Sequence, residues 1–146
     1  MNEHITSLLI LVEILSTVYY TVFVNSKQKG SLAVAKCISK LYSLGYEVLL
    51  PIGDRNQYDV VFDDGKDLFK VQVKYAGLAQ NGRYKAGLRV AGGNRSRNYV
   101  VKYNANAFDY LFVYTADNRS YLIDWKDVLI RNEITIDNSK YEKYKV

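Results

Sequence analysis

The 146-residue chain has one cysteine, Cys37, one proline, Pro51, and one histidine, His4. A lone cysteine excludes an intramolecular disulfide and any zinc site built from several thiolates, and it fits a reducing compartment; the expected location is the cytoplasm. A single histidine close to the amino terminus excludes a His-centred triad and His-ligated zinc within the body of the chain. Acid, base and metal chemistry is therefore left to Asp, Glu and Lys. Also missing is any basic residue before Asn25: the first 24 residues hold Glu3 and Glu13 and no Lys or Arg. The remainder carries 20 basic against 13 acidic side chains, a net of +7. A basic domain of that kind suits a polyanion, through counterion release at phosphates.

The length is that of one domain. The hydrophobic fraction of 49% and charged fraction of 24% are those of a folded globular chain, which excludes intrinsic disorder. Two parts are distinguished, residues 1–24 and 25–146. Ser7 to Val24 reads SLLILVEILSTVYYTVFV, with Glu13 as its one charge, and ends at the polar run NSKQKG. Three readings stand for it. It is long enough to span a membrane, at the cost of a mid-span Glu13; it is a buried helix; or translation begins near Val24 and the segment is not part of the mature protein, the reading favoured here. A secretory signal is disfavoured because no basic region precedes the apolar stretch.

Beyond Asn25, Val34, Ile38 and Leu41 recur at three- to four-residue spacing, which predicts an amphipathic helix over Gly30 to Leu44 with Gly45 as its C-cap. Strands are predicted at Tyr46 to Leu50, Tyr58 to Phe62 and Leu68 to Tyr75, the last two joined by an Asp-Asp-Gly turn. Further β segments are expected at Tyr84 to Val90, Tyr99 to Tyr103, Tyr110 to Tyr114 and Ser120 to Ile123, then a helix or turn over Trp125 to Ile130. The tyrosines Tyr110, Tyr114 and Tyr121 alternate with apolar residues and read as core or interface.

Hairpin geometry brings Asp59 towards Gln72 and Lys74, whose side chains share one face because they alternate with Val71 and Val73. A carboxylate, an amide oxygen and the carbonyl oxygen of Val73 are hard donors of the kind Mg²⁺ takes while keeping several waters. Mg²⁺, or Mn²⁺, is thus the expected cofactor, and no small-molecule cofactor is expected. Lys74 stands where it can orient or deprotonate a metal-bound water, or stabilise charge developing on a phosphate. Beside this constellation, no Asp or Glu occurs between Leu68 and Phe108, while Arg83, Lys85, Arg89, Arg95, Arg97 and Lys102 fall there among Gly-rich turns. These six are the candidate contacts to double-stranded DNA, by phosphates and by base edges.

The ordered run LGYEVLLPIGDRNQYDVV followed by LFKVQVK, with the later YLIDWKDV, resembles the PD-(D/E)XK nucleases. In particular it resembles the branch in which Gln replaces the second acidic residue, which includes cyanobacterial group I intron homing endonucleases. The resemblance implies an α/β (α+β) restriction-endonuclease-like core, with a central mixed β-sheet flanked by helices and extended basic β-loops. It matches Asp59 to the metal-binding Asp, Gln72 to the Gln that replaces an acid, and Lys74 to the catalytic Lys. It implies a metal-dependent DNA endonuclease that hydrolyses phosphodiesters, an intron-encoded homing enzyme, and also a Glu on the first helix where this chain has Val34, a departure that leaves impaired cleavage open. A homo-oligomer, dimer or tetramer, is expected because one small domain carries one site and cutting both strands needs two. The alternatives are an inactive DNA-binding module of the same fold and a junction-resolving or restriction-type nuclease. Membrane association is expected only if residues 7–24 form a genuine span.

Overall fold

The computed structural model describes residues 3–23, 25–53, 55–94, 97–128 and 132–146. Helix α1 runs Glu3–Phe23 and helix α2 Ser26–Ser43. The second begins four residues before the predicted Gly30, because Asn25 and Gln28 close a reciprocal cap: Asn25 Oδ1 accepts from the Gln28 backbone N–H at 3.0 Å, and Gln28 Oε1 accepts from the Asn25 N–H at 3.1 Å. At its other end Gly45 takes φ +89°, a left-handed conformation that an L side chain rarely adopts. The buried residues Ala33, Cys37 and Leu41 recur every fourth position and form the stripe that meets the sheet.

Seven strands form the main sheet: β1 Glu47–Leu49, β2 Val60–Asp63, β3 Leu68–Leu78, β4 Tyr84–Gly87, β7 Tyr110–Thr115, β8 Ser120–Asp124 and β9 Glu133–Thr135. The long β3 organises it. Residues 68–71 pair antiparallel with β2, residues 77 and 78 pair antiparallel with β4, and residues 71–76 pair parallel with β7, so the sheet is mixed. The turn from β2 to β3 is held by its own carboxylates: Asp63 Oδ1 accepts from Gly65 N–H, and Asp64 Oδ1 from Lys66 and Asp67 N–H. Strands β5 Arg89–Asn94 and β6 Arg97–Lys102 leave the main sheet as a separate two-stranded antiparallel hairpin.

Alternation along the strands divides the core into two faces. Val60, Phe62, Val71, Val73, Phe112 and Tyr114 pack with Ala33, Cys37 and Leu41 of α2. Ala76, Leu111, Val113, Tyr121 and Ile123 pack on the other face with Leu88, Tyr103, Phe108, Trp125, Ile134 and Ile136. Tyr114 and Tyr121 are buried and Tyr110 is half-buried, so the core reading of these tyrosines stands.

Several boundaries differ from expectation. The single segment predicted over Tyr84 to Val90 is two strands, because Leu88 is buried and its N–H donates to Asn132 O at 2.8 Å, tying the chain down where it turns outward. Asp59 falls just before β2 rather than within a strand. The expected element after Trp125 is a single 3-10 turn, Trp125–Asp127, with residues 129–131 outside the described residues. Strand β9 and the short helix α3, Ser139–Glu142, carry too few apolar positions to show a period. In the amino-terminal helix α1, Leu8 to Val12, Ile14 and Leu15 are all more than half exposed. Among the described residues no helix is long and apolar enough to cross a membrane.

Candidate active site

The β2–β3 ladder ends at the Val60/Val71 pair, and what happens one residue further builds the site. The Asp59 N–H still donates to Val71 O at 2.9 Å, but the next β3 amide, Val73 N–H, donates to the Asp59 carboxylate, Oδ2, at 2.8 Å. A side chain thus replaces a strand as the acceptor, and the carboxylate is fixed against the edge of β3. Gln72 is only 6% exposed, and its amide Nε2 donates both to Asp59 Oδ2 at 2.5 Å and to Val73 O at 3.2 Å. One electropositive group therefore touches a carboxylate oxygen and a backbone carbonyl oxygen at once.

Lys74, two residues on, shares the Gln72 face by alternation. Its ammonium lies 5.2 Å from the centroid of the Tyr103 ring, which is 4% exposed. Burial dominates the electrostatics of the pair. It raises the Asp59 carboxyl above the ordinary carboxylate range, although the Val73 N–H and the Lys74 charge pull it down. Burial likewise lowers the Lys74 ammonium, against the pull of Asp59. The Tyr103 phenol is pushed up to about 12 by burial and by the Asp59 charge, and so stays neutral. On the helix side, Cys37 of α2 is buried in the same core as Val60, Val71 and Val73, and its thiol is pushed up by that burial and then by Asp59.

The expected trio Asp59, Gln72 and Lys74 is brought together, with the Val73 carbonyl between. Val34, one turn before Cys37 on α2, is half-buried against the helix-side core and offers no oxygen. Among the described residues no group of three or more His, Cys, Asp or Glu side chains gathers to hold an ion. The donor set fits a hard cation nonetheless. The Gln72 amide nitrogen marks a point within 2.5 and 3.2 Å of two oxygens, and turning that amide would offer a third. Asp63 and Asp64 are committed to the β-turn, and Asp54 lies outside the described residues.

The candidate DNA contacts divide. Arg89 and Lys102 are exposed and directly opposite one another at the root of the β5–β6 hairpin. Arg83 is exposed in the turn before β4, whereas Lys85 is held in an ion pair with Glu133 at 2.8 Å. Arg97 opens β6 and Arg95 lies outside the described residues. Tyr103 and Cys37 escaped the sequence reading. No spacing rule joins them to Lys74 or Asp59, since one follows a separate sheet and the other sits on a helix behind the strand.

Residues 24–144 match the PD-(D/E)XK endonuclease family. The chain belongs to that family. Among solved structures it is similar to that of a bacterial homing endonuclease, I-Ssp6803I, at 30% identity and a TM-score of 0.71, covering 83% of this chain and 88% of that one. No curated protein matches. Membership accounts for the mixed sheet with α2 behind it, and makes the chain a nuclease by descent. The ladder break at Asp59 is where such a fold exposes polar groups at a sheet edge, since a carboxylate there displaces a neighbouring strand. The family as a whole generally uses divalent metals, which agrees with the hard oxygens gathered at this edge.

Proposed function

We propose that this endonuclease hydrolyses phosphodiesters of duplex DNA in the cytoplasm as a homo-oligomer, with Asp59, Gln72, Lys74 and the Val73 carbonyl as its working groups, and that it serves as an intron-associated homing enzyme. The observation that carries the site reading is the Gln72 amide bridging Asp59 Oδ2 and Val73 O beside Lys74. Asp59, the Val73 carbonyl and Gln72 with its amide turned are the residues that would hold Mg²⁺ or Mn²⁺. Such an ion, when bound, lowers the pKa of a water and offsets charge on the phosphate.

The chain's own contribution is positional and electrostatic. The Val73 N–H bond fixes one Asp59 oxygen, so the carboxylate cannot swing away from the edge. Lys74 is held in a low-dielectric wall, where an ammonium facing a phosphate oxygen acts more strongly than in water. The same burial lowers its proton affinity, which also suits it to accept a proton from an attacking water. Arg89 and Lys102 oppose each other across the hairpin, an arrangement that repels unless an anion lies over it. A phosphate backbone supplies that anion; the exposed Arg83 is a further contact, Lys85 joins only if it leaves Glu133, and Arg95 and Arg97 are proposed as contacts on their charge alone. The homing role is carried over from I-Ssp6803I, described as a bacterial homing endonuclease. An oligomer supplies the second site that cutting both strands requires.

One observation favours a second reading, an inactive DNA-binding module. Val34 gives the metal site no helix carboxylate, and among the described residues no group of three or more His, Cys, Asp or Glu side chains gathers there. Cleavage of plasmid carrying the sequence that flanks the gene, in Mg²⁺, separates the readings. Cutting that disappears in Lys74→Ala is the expected result. Cutting only after Val34→Glu would mean that catalysis is disabled at one position. DNA binding without cutting by the natural chain, Lys74→Ala or Val34→Glu would put the binding module first. Light scattering that returned a monomer at working concentration would remove the oligomer.

A further inference from the structure

Directly after the outer strand of the basic hairpin, the chain turns inward and places Tyr103 against Lys74. The ammonium lies 5.2 Å from the ring centroid, within the range at which a cation is drawn to an aromatic face. The ring has little freedom to move. It meets Phe108 edge-on at 5.0 Å and 79°, and Trp125 edge-on at 6.2 Å and 89°. Phe108 and Trp125 pack on each other at 4.4 Å. Trp125 Nε1–H donates to Asn104 O at 3.0 Å, pinning the backbone one residue beyond Tyr103, and the Trp125 N–H donates to Asp109 O at 2.9 Å.

We infer that Tyr103 is a positioning residue for the nuclease reaction, holding the Lys74 ammonium over its ring face at the edge that carries Asp59 and Gln72. A lysine has four rotatable bonds, and a half-buried one without a fixed wall would sample rotamers that carry its nitrogen away from the reacting phosphate. The ring face supplies that wall, Phe108 and Trp125 make it rigid, and Trp125 thereby gains a role beyond filling the core. The face of the ring is what acts, so Tyr103→Phe preserves the function and Tyr103→Leu, which fills space without a π face, does not.

The inference rests on the proposed role of Lys74. Two measurements on the full chain keep the two apart. Proton NMR of the natural protein with ¹³C-labelled lysine is expected to show the Lys74 side-chain methylenes shifted upfield by the ring, a shift kept in Tyr103→Phe and lost in Tyr103→Leu. Single-turnover cleavage is expected to fall about 10- to 30-fold in Tyr103→Leu, with DNA affinity in EDTA unchanged and the rate restored in Tyr103→Phe. Unshifted Lys74 methylenes in the natural protein overturn the inference whether or not the leucine variant folds. So does a folded Tyr103→Leu that cuts at the natural rate, or a Tyr103→Phe that loses as much as the leucine variant. If instead Lys74→Ala itself still cuts, it is the site reading that fails.

Discussion

The edge of β3 around Asp59 and the β5–β6 hairpin, separated along the chain by β4, are built on opposite physical terms. At the edge, Gln72 is 6% exposed, its amide and the Val73 N–H both donate to Asp59 Oδ2, and two ionisable groups are buried against their preference. At the root of the hairpin, the exposed Arg89 and Lys102 stand opposite each other across the ladder. The edge gains from exact distances, and the hairpin from charge density that any phosphate can read. Cutting and holding are thus assigned to separate pieces of backbone, and a change in one should leave the other's measurement untouched.

Lys74→Ala is the sharpest test of that separation, with cleavage expected to fall about 10³-fold or more while affinity for DNA in EDTA stays within twofold. Equal loss of both in a filter-binding and cleavage series would merge the two regions into one. Val34→Glu acts on the edge from behind. The substitution places a carboxylate one helical turn from Cys37, whose thiol already feels Asp59, so Mg²⁺ affinity by calorimetry is expected to rise about tenfold. No change in metal affinity would mean that α2 does not reach the ion. On the hairpin, Arg89→Gln with Lys102→Gln should weaken binding about tenfold at physiological salt and shrink the log–log salt slope by about 2, with the saturated cleavage rate unaltered. A fall in that saturated rate would show the hairpin setting the geometry of the edge.

The two regions were also unequally legible in the sequence. Asp59, Gln72 and Lys74 could be placed together because a hairpin closed by Asp63-Asp64-Gly65 leaves few registers, and alternation fixes which side chains share a face. The basic stretch was legible as charge, but not as geometry. Nothing local says that the chain leaves the main sheet at Leu88, since that depends on a bond to Asn132, 44 residues on. For the same reason Lys85 looked like a free contact, although its ion pair with Glu133 requires β9, a strand too short to announce itself. The start of α2 was missed on local grounds, because Asn25 and Gln28 form a cap that apolar periodicity does not register. Tyr103 could not have been found, since its place over Lys74 is set by packing on Phe108 and Trp125.

The smallest effect expected is on stability, and it separates the regions by sign. Burial makes the charged form of Asp59 unfavourable, so its folded-state pKa lies above the unfolded value. A group of that kind adds stability below its unfolded pKa, near 3.8, and that contribution is lost as pH rises through the raised folded value. Once ionised, the buried Asp59 is therefore a cost. Asp59→Asn keeps an oxygen for the Val73 N–H and removes the charge, so the metal-free protein should gain about 2–4 °C in Tm at pH 7 while losing cleavage. The advantage should shrink as pH falls through the raised pKa and vanish below about 3.8, where the natural residue is protonated in both states. Arg89→Gln with Lys102→Gln removes a repulsion between two side chains that face each other across the ladder, and any gain there should not depend on Asp59. Melting curves of both variants from pH 3 to 7 would decide the matter. A constant gain for Asp59→Asn across that range would mean that burial of the charge is not what the edge opposes.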